Sequence, residues 1–309
     1  MNLNLFIKKI GLFFFIFVFF CSLIIFTNRY ITLNSTPKFN KSKHILFLGD
    51  SNTQCAINDS IISSAINLSS SSESYFQSYL KLKEVLRVNY QIDTIILSFS
   101  PINIFKEYKT INFEMLRGCF PIYYSWMNST DFYMLLKSNP YATISLIPTL
   151  IRPAFKNNIN KLRNREIQLN IGGYLQLERN ILPMVLRKLK TGKPMPFFTL
   201  PRQPVISKFE LFYLKKIQHF CAQKDKKLFF INTPKRIELI RHSNYHKVKF
   251  MQIYAKDFKA IKYIDCSNFP MKNSDYGDLV HLNKNGSNFF SSYIQSKGLK
   301  YLCTYFQAK

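Results

Sequence analysis

Cysteine is sparse and unpaired in this sequence. Cys21, Cys55, Cys119, Cys221, Cys266 and Cys303 show no repeated spacing, which excludes a disulfide framework or a cysteine metal centre as the organising element. Histidine does not fill the gap. His242 and His246 can share a helix face, but no further ligand stands at a workable spacing, so no metal and no other cofactor is expected. Acidic residues are also few: 17 Asp and Glu face 43 Lys and Arg, a formal charge of +26. That imbalance favours an anionic partner, whether nucleic acid, a lipid surface or an acidic glycan. Zinc-finger, RNP-like and basic-helix repeat patterns are all lacking, so nucleic acid is not expected; the basic residues are scattered, and solvated surface is the plainer account of much of the excess. No internal repeat is present.

A long uncharged run is present, once. Lys8 and Lys9 precede residues 10–26, which carry no charge. The run exceeds a secretory h-region of roughly 7–15 residues, and no Ala-x-Ala-like cleavage site follows it. Residues 5–7 and snorkelling lysines extend it to a full membrane span. Residues 1–30 therefore read as an uncleaved signal anchor, with the amino end in the cytoplasm and the rest outside; a cleaved signal peptide is the rival reading. A lipoprotein site at Cys21 is disfavoured by the bulky Phe19 and Phe20. Residues 31–43, polar and proline-bearing, read as a linker.

From residue 44 the chain alternates apolar runs with helical periodicity. Strands are expected at about 44–48, 65–68, 93–99, 227–232 and 261–265. Helices are expected at about 55–62, capped by Asn58 or Asp59, and at 75–89, 207–222, 244–258 and 285–296. Such an order predicts an α/β three-layer sandwich around a five-stranded parallel sheet, in one domain spanning 44–309. The rhythm lapses between about 104 and 205. That stretch is too aromatic to stay unfolded. It reads as a largely helical insertion over the carboxyl end of the sheet, where Arg163, Arg165 and Arg179 would line a groove for an acidic glycan.

Two motifs carry chemistry. The first expected strand runs into Gly49-Asp50-Ser51-Asn52, a cluster of turn formers that can lift a serine out of the sheet. Near the other end stand Asp278 and His281, then Asn283, a candidate cap for the final helix. A serine nucleophile needs a base, and the base needs an orienting carboxylate. Asp278 can reach His281 Nδ1, leaving Nε2 for Ser51. The plainer alternative makes Ser51 only a helix cap.

Gly49-Asp50-Ser51 and Asp278-x-x-His281, with Leu282, Asn283 and Gly286, resemble the first and last blocks of the SGNH (GDSL-type) hydrolase superfamily. The resemblance implies a flavodoxin-like fold and acyl transfer through a Ser51 ester, with His281 as base and Asp278 fixing its tautomer. It also implies two oxyanion donors besides the Ser51 N–H, and the sequence departs from the family at both. No glycine lies in 69–74, leaving a backbone N–H of Ser70, Ser71 or Ser72. After the third strand stands Ser100-Pro-Ile-Asn103, making Asn103 the candidate side-chain donor, with an ordinary cap as its alternative. Asn232 and Thr233, ending the fourth strand, either contact substrate or cap the next helix.

These readings lead to an expected function. The chain is expected to be an envelope esterase or O-acetyltransferase at the bacterial cytoplasmic membrane, single-pass, with its domain outside and acting on cell-surface polysaccharide. One span cannot carry acetyl groups across, so a transferase would need a multispan membrane partner. The alternative is a catalytically inactive glycan-binding or assembly protein.

Overall fold

The computed structural model describes residues 3–105, 113–178, 205–236 and 244–305. The expectations for Arg179 and His242 fall outside them. In chain order, α1 (Leu3–Asn34) precedes β1 (Ile45–Leu48), α2 (Ser51–Ala56), β2 (Ala65–Asn67), α3 (Tyr75–Val88), β3 (Thr94–Ser98) and the single turn α4 (Pro101–Ile104). Next come α5 (Phe113–Trp126), α6 (Ser129–Ser138), α7 (Pro140–Leu146), a 3₁₀ turn (Ile147–Leu150) and α8 (Ile151–Leu162). The α/β alternation resumes with α9 (Lys208–Gln223), β4 (Lys227–Asn232), α10 (Asn244–Ile253) and β5 (Lys262–Asp265), and ends with α11 (Lys284–Tyr305). The protein thus has an α/β fold with a five-stranded parallel sheet, flanking helices, a long apolar N-terminal helix and a helical insertion. The chain divides into two compact units: Met1–Lys38 with Asn112–Asn170, and Phe39–Ile111 with Ile171–Lys309.

In the second unit all five strands pair in parallel, in the order β2-β1-β3-β4-β5. The strands are apolar on both faces because both are covered. Phe47, Ile96, Ile231 and Ile264 point to one side, into a cluster with Ile57, Phe290 and Ile294. On the other side Phe76 meets Tyr213 edge-on at 4.9 Å, tying α3 to α9. After β1 the chain goes to β2 on one side and then to β3 on the other. The carboxyl ends of β1 and β3 are therefore the switch point, where sheets of this order open a crevice.

Two local expectations need correction. No helix spans 55–62. The first helix begins at Ser51 under an Asp50 cap, with Asp50 Oδ1 accepting from the Asn52 N–H at 3.1 Å, and it ends at Ala56. Asn58 folds its side chain onto the N–H of Ser60 at 3.1 Å, a local turn that competes with a helix. The last helix also runs past 296, bending at Gly298, whose φ is 73°.

In the first unit, α1 is long and apolar enough to cross a membrane. At 1.5 Å per residue it extends about 48 Å, beyond the roughly 30 Å hydrocarbon core. It does not stop at Phe26, because its last turns are packed: Asn28, Ile31 and Thr32 are buried. Asn158 Nδ2 of α8 donates to the Ile24 carbonyl at 3.0 Å, Asn157 Nδ2 to Asn28 Oδ1 at 3.0 Å, and Arg29 Nη2 to the Met127 carbonyl at 2.8 Å. The insertion helices are sharply delimited. Asn128 and Asp131 form a reciprocal capping box on α6, and Asn139 followed by Pro140 starts α7.

Candidate active site

β1 ends against β3 so closely that only glycine fits at position 49. A Cβ there would lie 2.3 Å from Ser98 Cβ, and φ is +151°. The next residue, Asp50, is buried and caps α2. Ser51 is therefore the first helical residue rather than the cap, so its hydroxyl is not needed by the helix. Its N–H is one of the helix-start donors that find no intrahelical acceptor.

The Ser51 Oγ lies 2.8 Å from His281 Nε2. His281 Nδ1 lies 3.0 Å from both carboxylate oxygens of Asp278. The loop carrying this pair is pinned at both ends, by the Gly277 N–H to the His281 carbonyl at 2.9 Å and the Asn283 N–H to the Asp275 carbonyl at 2.9 Å. Asp278 Oδ1 also accepts the N–H groups of Val280 and His281, each at 2.9 Å. Burial pushes the Asp278 carboxyl up. The hydrogen bond from the His281 ring, the backbone donors and the imidazole charge outweigh it and hold the carboxyl well below the usual carboxylate range. Asn283 caps α11, its Oδ1 accepting from the Gly286 N–H at 3.1 Å.

The other candidates are placed as follows. Asn103 is buried, and its amide donates to Asp50 Oδ2 at 2.7 Å while its oxygen accepts from Ser100 Oγ at 2.8 Å. One of its two amide hydrogens is thus committed to the α2 cap. Ser70 donates its N–H to the Gly49 carbonyl at 3.0 Å, which removes it as an oxyanion donor. Ser71 is exposed and bonds Gln54 Oε1 through its hydroxyl at 2.8 Å. Among the described residues, no acceptor meets the N–H of Ser71 or Ser72. Asn232 links the ends of β4 and β5, donating to Asp265 Oδ1 at 3.0 Å, and its own buried oxygen has no partner among the described residues.

Three features were not read from the sequence. Glu73 and Lys81 form an ion pair, both side chains fully buried, and Lys81 also donates to the Leu68 carbonyl. This pair underpins the loop after β2. Residues 171–178 form an extended strap: Gly173 N–H bonds the Ser69 carbonyl at 3.1 Å, Leu175 N–H the Gln54 carbonyl at 3.1 Å, and the Lys284 N–H the Leu177 carbonyl at 2.9 Å. Gly172 is required there, since a Cβ would sit 2.3 Å from the Leu68 carbonyl oxygen at a φ of +109°. Its Gly-Gly pair was the available signal. Third, burial lowers the Lys235 ammonium, while the Asp50 and Asp265 carboxylates oppose the shift.

The arrangement joins a hydroxyl, an imidazole and a carboxylate in one hydrogen-bonded line, a set chemically able to supply a nucleophile, a base and the group that orients it. Comparison with family models, with curated proteins and with solved structures returns no match.

Proposed function

We propose that this protein is a membrane-anchored serine esterase or O-acyltransferase of the SGNH type. The observation that carries the reading is the line from Ser51 Oγ to His281 Nε2 at 2.8 Å and from His281 Nδ1 to Asp278 at 3.0 Å, at the switch point of the sheet. In this reading Ser51 attacks the carbonyl of an acyl ester. His281 takes the serine proton and returns it to the leaving alcohol. Asp278, held ionised, keeps the Nδ1 proton in place and stabilises the imidazolium. The Ser51 N–H, together with that of Ser71 or Ser72, receives the developing oxyanion. Water completes hydrolysis and a sugar hydroxyl completes transfer.

The long apolar N-terminal helix supports location at a membrane, with the domain on the outer face and surface polysaccharide as the acceptor. A multispan partner would supply acyl groups. A second reading, a non-catalytic glycan-binding or assembly protein, is favoured by one observation: the Asn103 amide is turned onto Asp50. Labelling with a fluorophosphonate probe separates the two. The proposed enzyme is labelled at Ser51, and Ser51→Ala is not. A folded wild-type protein that resists the probe leaves the binding reading in its place.

A further inference from the structure

We infer that α7 and α8 form a second membrane contact, lying in the interface of the bilayer with apolar side chains among the upper acyl chains and basic ones on anionic phospholipid headgroups. The inference rests on reading α1 as the span that fixes this unit at the membrane.

The first argument is depth. The apolar run of α1 ends at Phe26. Asn158 of α8 bonds the Ile24 carbonyl and Asn157 bonds Asn28. Cys21, Ile24 and Ile25 are partly covered, whereas the run before them is exposed. Those bonds hold α8, where it touches α1, at the level at which the apolar run ends, which is the level of the bilayer interface.

Exposed apolar surface supplies the second argument. Tyr141 is 86% and Leu162 80% exposed, and Ile144, Ile147 and Phe155 are exposed as well. Tyr141, Ile144 and Ile147 recur every three residues, and Phe155 and Leu162 stand two helical turns apart on one face of α8. Asn158, which touches α1, lies between the last two. Tyr30, Tyr133 and Tyr141 are exposed tyrosines in the same unit, a residue type that gathers at headgroup level. A soluble surface rarely concentrates so much.

Charge selects the lipid. Arg152, Lys156, Lys161, Arg163 and Arg165 are all exposed, and no Asp or Glu lies between positions 151 and 165. Exposed bulky apolar groups interleaved with Lys and Arg are what an interfacial helix presents to anionic lipid. Arg163 and Arg165, two of the three arginines expected from the sequence to line a glycan groove, belong to this cluster.

The full chain, reconstituted in vesicles holding a photoactivatable phosphatidylglycerol or the matching phosphatidylcholine, tests this by mapping the crosslinked residues. The expected result is adducts on α1 and on residues 141–162, the latter about threefold or more abundant with phosphatidylglycerol. Replacing Arg152, Lys156, Lys161, Arg163 and Arg165 by Gln, all exposed positions, should abolish that preference and leave the α1 adducts unchanged. Adducts on α1 alone overturn the inference and leave the span standing, as they would if a protein partner covers this face. Equal labelling by the two lipids, or a preference that survives the substitutions, also overturns it. Absence of adducts on α1 sinks the span reading, and this inference with it.

Discussion

The side-chain amide of Asn103 donates to Asp50 Oδ2 at 2.7 Å, so the residue expected to serve the oxyanion is anchored to the cap of the helix that begins at Ser51. Both residues are buried. Asn103→Ala should therefore cost stability, about 1–3 kcal/mol, the range for a buried acceptor losing its donor. Asp50→Asn should overlap with it, and a double-mutant cycle by denaturant unfolding should give a coupling near 1 kcal/mol or more. If Asn103→Ala keeps full stability but loses roughly a hundredfold in turnover, Asn103 is instead a direct oxyanion donor.

Ser72 takes a left-handed conformation, φ 56°, in the loop where the SGNH pattern has a glycine. The two other such non-glycine residues, Asn164 and Asp225, are types that tolerate it. Serine lacks that tolerance, and the strain is of order 1 kcal/mol. Ser72→Gly should raise the denaturation midpoint by an amount equivalent to roughly 0.5–1 kcal/mol, while Asn164→Gly should change little. A destabilised Ser72→Gly protein would mean that the hydroxyl holds the loop.

The extent to which the sequence was legible follows from range. Strands such as Thr94–Ser98 and Lys227–Asn232 were readable because both sheet faces are covered, leaving continuous apolar runs. Gly49-Asp50-Ser51 and Asp278-x-x-His281 were each legible because turn formers and a three-residue spacing are local signals, but only the resemblance to the SGNH pattern joined them across 230 positions. The start of α2 was misplaced because residues 55–62 look helical alone, and only Asp50 and the Asn58 turn decide otherwise. The Asn103–Asp50 bond and the strap from Gly172 to Leu177 join positions far apart in the chain. No periodicity reports such contacts.

Lys81 is a lysine in the middle of a helix with nothing in its sequence to mark it as buried. Its side chain and that of Glu73 are both fully buried and paired. Lys81→Met should cost about 3–5 kcal/mol, because Glu73 is left as a buried charge without its cation. Adding Glu73→Gln should recover part of the loss. Thermal unfolding of the two single variants and the double checks this; a double variant as unstable as the sum of the singles would show that the residues act independently.

Lys8, Lys9 and the uncharged run to Phe26 set the expected topology. A reporter fused after Lys309 should lie outside the cytoplasm, and the protein should stay with the membrane after an alkaline wash. A soluble product beginning near residue 30 would show cleavage.

Ser51, His281 and Asp278 form one hydrogen-bonded unit, so their losses should not add. Ser51→Ala and His281→Ala should each lower turnover of an acetyl ester by roughly four orders of magnitude or more, with the double variant little worse than either. Asp278→Asn should fall roughly a hundredfold less, because nucleophile and base remain and only the tautomer is wrong. The Asp278 carboxyl has a second signature. It is held below its unfolded value, so its ionised form stabilises the fold above the ordinary carboxylate range, near ~3.9, and the contribution fades as pH falls below that. Wild type should therefore exceed Asp278→Asn in stability by a constant margin at neutral pH, and the two curves should converge under acid. Unfolding curves across the acid range would reveal the convergence. A margin unchanged down to the lowest pH would mean that the Asp278 charge plays no part in holding the loop that presents His281 to Ser51.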